Sequence, residues 1–195
     1  HQVAAGQVRE APDALAKGIA ERTAEGDLRA AVSLLTLYET CLREQGVPVS
    51  DRRWGSLYGR RASLLWQLGH RSESAHWARR AIDLAREHGW TAQLRKRLGL
   101  TVAWALDDRD VPRAEAALEE LRQSLEEVRD PAQWGAWFLS AGQLAHVRRR
   151  FDEALLLYGR ARSCFGQVGA RDLKLRCLLP MAAVELADGR LDAAL

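Results

Sequence analysis

The stretch Phe138-Leu-Ser-Ala141-Gly142-Gln-Leu-Ala145-His-Val-Arg148-Arg149-Arg150-Phe151-Asp-Glu-Ala154-Leu-Leu-Leu-Tyr158-Gly-Arg-Ala161-Arg-Ser-Cys164 decides the fold. Apolar or small residues recur every three or four positions, stop at the arginine run and resume. That is the period of two short amphipathic helices joined by a tight turn. Gly142 and Ala145 on the first helix, and Ala154 and Ala161 on the second, have almost no side chain, so the two backbones can approach closely. Phe138, Phe151 and Tyr158 fill the space beside them. A hairpin of this size has one face it cannot bury alone, and stacking on a similar neighbour solves that.

The neighbours are in the sequence. Asp110-Val111, Ala114, Leu118 and Leu121 reproduce Arg150-Phe151, Ala154, Tyr158 and Ala161 forty residues earlier. Gly69, Ser74, Ala78 and Ala81 carry the pattern back another forty, and Gly26-Asp27-Leu28, Ala31 and Leu35 back forty-three more. Gly189-Arg190-Leu191-Asp192 and Ala194 repeat it forward. Gly46, Gly89 and Gly169 follow the second helices, with Asp130-Pro131 in the fourth such place. A period near forty lies in the range of two-helix solenoids.

With these residues in view, the chain resembles the tetratricopeptide repeat (TPR) family. Phe138, Ala141-Gly142, Phe151, Ala154, Tyr158 and Ala161 match its pattern best; Arg149 replaces the turn glycine and Ala145 an aromatic. Gly69, Ser74, Ala78 and Ala81 form the next-best unit, with Arg71 where the turn aromatic should be. The long period resembles the bacterial variety found in sensor domains of large ATP-binding transcriptional activators. The resemblance implies an all-α, right-handed α-solenoid of antiparallel two-helix hairpins, with repeats at about 7–46, 50–89, 90–129, 131–169 and an incomplete 171–195. The chain starts without Met and ends inside a repeat, so a single solenoid that is a fragment of a longer protein is expected.

Composition agrees. The chain has 195 residues, is 47% hydrophobic and carries a formal charge of only +3. Twenty-six Arg against three Lys reads first as a GC-rich bacterial genome. No apolar run approaches the length of a membrane span. Cys41, Cys164 and Cys177 fit no disulfide framework or metal spacing, which suggests a reducing compartment and a cytoplasmic location.

Pro12 and Gly26 bracket a first helix of about a dozen residues, after a frayed lead over His1–Gly6. Further helices are expected over 27–45, from Asp51 to Leu68 with Ser50 as cap, over 72–88 and 90–106, from Pro112 to about Val128, from Pro131 to near Val147, and over 151–165. A ninth runs from Arg171 to Ala187, kinked by Pro180, and Asp192 begins a tenth.

Little points to catalysis. His70, His76, His88 and His146 are scattered over different repeats and do not make a zinc set. Asp107, Asp108 and Asp110 lack the spacing of a calcium loop, and capping explains them better. No phosphate-binding glycine loop or nucleophile motif is present. No enzyme activity, cofactor or metal is expected. Arg148-Arg149-Arg150 suits a helix end. Glu119-Glu120 and Glu126-Glu127 interrupt any basic stripe, which argues against direct nucleic-acid binding. Most of the seven Trp read as filler between repeats, whereas Trp66 falls on the groove side of its helix.

The resemblance also implies a site. The family's groove positions fall on Ser56, Gly59, Ser63, Trp66 and Gln67, then Lys96, Gly99, Ala103 and Leu106. In later repeats they fall on Ala136, Leu139, Gln143 and His146, and on Arg176, Leu179 and Ala183. Trp66, Lys96, Gln143, His146 and Arg176 are the expected partner-binding set, with Trp66 as apolar anchor and Lys96 and Arg176 attracting an acidic segment. The dense Lys/Arg/Asn clamp of repeats that grip a C-terminal carboxylate is missing. Two readings stay open: a scaffold for a protein or peptide segment, and a regulatory sensor whose groove takes a small effector or another domain of the same protein.

Overall fold

A computed structural model describes residues 2–187, with side chains from Pro12 onward. Every regular element among the described residues is a helix. They are α1 (Gln2–Ala24), α2 (Leu28–Glu44), α3 (Arg52–Gln67), α4 (Arg71–Glu87) and α5 (Thr91–Asp107). Then come α6 (Val111–Gln123), α7 (Pro131–Val147), α8 (Phe151–Gln167), α9 (Arg171–Arg176) and α10 (Leu178–Ala187). The chain divides into two compact units, residues 1–97 and 98–195. Unit 1 holds the hairpins α1–α2 and α3–α4 and the first two turns of α5. Unit 2 holds the rest of α5 and the helices that follow.

The hairpins come from small residues at fixed places. Ala31, Ser74, Ala114 and Ala154, the residues that recur at the repeat period, are all fully buried. Each stands twelve residues after a buried residue of the preceding helix: Ile19, Ala62, Val102 and Gly142. Ser74 occupies an alanine position because its hydroxyl donates to the Ala62 carbonyl at 2.8 Å, so no buried polar group is left unpaired. Gly142 marks a close approach in unit 2: a Cβ built there would lie 2.6 Å from the Tyr158 ring.

The turns share one geometry. Gly26, Gly46, Gly69, Gly89 and Gly169 have φ between +63° and +83°. Arg109 and Arg149 take the same left-handed conformation at +59° and +60°, so the arginine that replaces a turn glycine keeps the glycine's backbone. The amide after each left-handed residue reaches back five residues: Asp27 to Arg22, His70 to Leu65, Asp110 to Ala105, Arg150 to Ala145. This is the Schellman closure. Asp27, Asp51, Asp110 and Asp130 cap the helices that follow by accepting a backbone N–H.

Several boundaries differ from expectation. α1 is already formed at Gln2 and runs through Pro12. The alanine-rich sequence on both sides of Pro12 has high helix propensity and carries the helix across the one missing N–H. Asp51, not Ser50, caps α3, since its carboxylate accepts from Arg53 N and also pairs with the Arg53 side chain. α6 stops at Gln123. The expected ninth helix is two, α9 and α10, broken at Cys177. Pro180 has no N–H for the Arg176 carbonyl, and its ring crowds that carbonyl, so the helix is interrupted for one residue there. The tenth helix expected from Asp192 lies outside the described residues.

Trp54 and Trp134, two repeat lengths apart, do the same job. Each indole N–H donates back to the loop before its helix, to the Val47 carbonyl at 3.2 Å and the Val128 carbonyl at 2.9 Å. Trp137 donates to the Leu118 carbonyl, and Trp90 covers Gly55. Trp54, Trp90 and Trp104 are buried.

Candidate functional site

Each unit carries a hollow lined by groove-position residues. In unit 2, a hollow of about 470 Å³ is walled by the ends of α5 and α7, by Tyr158 of α8 and by α10. Ala103 and Leu106, Gln143 and His146, and Leu179 and Ala183 all face it. These are six groove positions from three successive first helices. Leu106, Val147, Leu179 and Pro180 make the wall largely apolar; Asp107 is its one carboxylate among the described residues.

Tyr158 forms the inner boundary of this hollow. It is fully buried among Ala145, Ala154 and Val184, with Phe151 and Met181 beside them. Its ring lies against the bare backbone of Gly142, and its hydroxyl has no hydrogen-bond partner among the described residues. Burial pushes the phenol well above the ordinary tyrosine range, with a smaller contribution from nearby Cys177. The hydroxyl therefore stays protonated and neutral, sealed beneath the floor. His146 stands edge-on to Phe151, ring centres 6.1 Å apart, and Gln143 is exposed.

In unit 1, a second hollow of about 400 Å³ lies between α1, α3 and the start of α5. Ser63, Gln67 and Lys96 of the expected groove line it, together with Arg60 and Arg97. The basic run Arg95-Lys96-Arg97 thus separates: Lys96 is exposed, whereas Arg97 is buried.

The five expected site residues are distributed as follows. Gln143 and His146 share the unit 2 hollow, and Lys96 lies in the unit 1 hollow. Trp66 is half-buried and lines neither. The Arg71 guanidinium sits 3.5 Å over its ring and donates to the Trp66 carbonyl, so one indole face is already occupied. Arg176 is exposed at the end of α9 and lines neither hollow. Sequence reasoning gave Tyr158 only a packing role and did not single out Arg97. The signal for Tyr158 was its place opposite Gly142; nothing local in the sequence marks Arg97 as buried.

Among the described residues no group of three or more His, Cys, Asp or Glu side chains is placed to hold a metal, and no helix is long and apolar enough to cross a membrane.

Comparison with known proteins gives the fold a place. No family model matches the sequence, and no curated protein does. Solved structures do. BtubC (BKLC) from P. vanneervenii superposes with a TM-score of 0.75 at 21% identity, over 96% of this chain and 82% of that one. The apo form of RapI superposes with a TM-score of 0.75 at 15% identity, over 89% of this chain and 48% of that one. The fold is TPR-like. At these identities the likeness is one of architecture, and it extends to about half of RapI.

Proposed function

We propose that this chain is a non-enzymatic binding scaffold of the long-repeat type, which holds a segment of another protein against its first helices. One observation carries the reading: Ala103, Leu106, Gln143, His146, Leu179 and Ala183, groove positions spread over eighty-one residues, meet around one hollow. Residues that served only to pack repeats would have no reason to leave an open apolar recess there. Its size suits one or two side chains. The apolar wall favours an aliphatic or aromatic anchor from the partner, and Gln143 and His146 supply hydrogen bonds to the backbone beside it. In this reading Trp66 and Arg176 are not part of the recess. Among the described residues the wall holds Asp107 and no Lys or Arg, which favours an apolar anchor over an acidic one. The three free cysteines suit a cytoplasmic setting.

Ala103 and Ala183 are exposed, so Ala103→Trp or Ala183→Trp fills the recess without entering the core. A peptide selected from a displayed library for binding to the intact chain should bind each variant at least about tenfold more weakly, with an unchanged melting temperature. Equal binding of both variants would reject the assignment of the partner to this recess.

The regulatory reading, in which a small effector controls another domain of the same protein, draws support from the unit 1 hollow.

A further inference from the structure

Among the described residues unit 1 buries two arginines, and it treats them differently. Arg61 is 7% exposed and fully matched. Its guanidinium pairs with Glu39 at 2.6 Å, bonds Thr36 at 3.4 Å and lies 4.5 Å over the Trp77 ring. Arg97 is 8% exposed and makes no hydrogen bond or ion pair among the described residues. Its Nε is wholly buried and unpartnered. Removing a guanidinium from water without a counter-charge is strongly unfavourable, and folded proteins ordinarily pair or neutralise such a group. Burial, with the charge of Arg60 added, holds the Arg97 guanidinium below the usual arginine range.

The surroundings of Arg97 are those of a site. Its guanidinium lies flat on the backbone of Gly59, where a Cβ would come within 1.9 Å of its Cζ. Any other residue at 59 would push it away. Arg97 lines the 400 Å³ hollow with Arg60 and Lys96, and among the described residues no Asp or Glu lines that hollow. Neither Arg60 nor Lys96 forms an ion pair among the described residues. Opposite the cations, Ile19, Ala20, Ala24 and Leu64 make an aliphatic wall. Ser63 and Thr23 spend their hydroxyl protons on the Gly59 and Ile19 carbonyls, so the donors facing the hollow are chiefly the cations and the Gln67 amide.

We propose that this hollow is a binding site for a small aliphatic carboxylate, whose charge completes Arg97 and whose chain lies on the Ile19–Leu64 wall. The planar guanidinium, backed by Gly59, offers its edge to a carboxylate in the two-point manner arginine favours. Lys96 and Arg60 at the opening add attraction but little specificity. The aliphatic wall gives the ligand an apolar tail and discriminates against inorganic phosphate. A hollow of this volume is in the range of small-molecule pockets, about 300–1,000 Å³. The site belongs to unit 1 alone, and its failure would leave the unit 2 recess untouched.

The test uses the intact chain with hexanoate, hexanol and inorganic phosphate as probes. Hexanoate should shift the Arg97 Nε–H resonance saturably, with a Kd of about 1 mM, the scale for a ligand of this size. It should also raise the melting temperature. Hexanol and phosphate should each bind at least about tenfold more weakly, since each lacks one half of the recognition. Arg97→Met should melt higher than the parent without ligand, because an unmatched buried cation is gone, and should lose the response to hexanoate. Gly59→Ala, which displaces the guanidinium while keeping it, should weaken hexanoate binding as well; this variant serves if Arg97→Met does not fold. Absence of a saturable Arg97 shift up to about ten times the expected Kd would overturn the proposal. So would hexanol binding as well as hexanoate (an apolar hollow only), or phosphate doing so (unselective anion attraction).

Discussion

Replacing Gly142 with alanine should destabilise unit 2, although the same change in an ordinary helix stabilises it. Gly142 lies inside α7, where glycine costs about 1 kcal/mol relative to alanine. A Cβ at 142, however, would stand 2.6 Å from two carbons of the Tyr158 ring, whereas carbon atoms in good contact lie about 3.5–4.0 Å apart. The ring must retreat by about 1 Å, and it is fully buried against Ala145, Ala154 and Val184, so any movement toward the hollow gives up those contacts. Overpacking of this kind costs about 1–3 kcal/mol, and the loss of the buried contacts of Tyr158 puts this case in the upper half of that range. The net is a loss of about 1–2 kcal/mol, or about 2–8 °C in melting temperature for a chain of this length. In a Tyr158→Leu background the ring edge is absent and the smaller side chain can rotate clear, so Gly142→Ala should stabilise by about 0.5–1 kcal/mol. A double-mutant cycle by urea unfolding reads this change of sign directly. If Gly142→Ala has the same effect in both backgrounds, within about 0.5 kcal/mol, the contact between Gly142 and Tyr158 does not set this packing and the account of the recess floor is wrong.

The turns give a second prediction. Arg109 and Arg149 hold left-handed backbone with exposed side chains that make no hydrogen bond or ion pair among the described residues. Arg109→Gly and Arg149→Gly should therefore each stabilise by about 0.5–1 kcal/mol, the relief of the left-handed penalty less the extra freedom of unfolded glycine; a loss in urea unfolding would contradict it. A third concerns thiol chemistry. Cys177 is fully buried, donates to the Leu173 carbonyl, and has its pKa pushed up by burial. A raised pKa means less thiolate at a given pH, so near neutral pH iodoacetamide should label Cys177 at least about tenfold more slowly than half-buried Cys41. Mass spectrometry of the labelled peptides checks this, and urea should abolish the difference.

How much of this was legible in the sequence depends on the range of the interaction involved. The period of small residues marked Ala31, Ser74, Ala114 and Ala154 as buried, and glycine spacing placed the turns. These are local properties: helix periodicity, left-handed backbone and capping act over a few residues, and stacking repeats them at a fixed interval. Pro180 was seen as a disturbance but not as a break. Pro12 was taken for a boundary, because a proline's effect depends on whether the helix around it is held, and one sequence window does not contain that.

The site was legible in part, for a related reason. The repeat frame put Gln143 and His146 on one side of their helix, and both line the unit 2 hollow, because a groove position is a helical phase, and phase is written in the sequence. It also gave Trp66 an open role, while the structure lays Arg71 over its ring; that contact crosses a turn and depends on rotamers. The contrast between Arg61 and Arg97 shows the limit. Both are arginines on first helices, next to apolar residues, and no local pattern distinguishes them. Arg61 meets Glu39, twenty-two residues away, and Arg97 meets the bare backbone of Gly59, thirty-eight residues away. Periodicity determined which helices exist and which faces turn inward. Only the tertiary structure decided which buried charge is matched, because the counter-charge comes from a different helix and its distance is fixed by how closely the backbones pack.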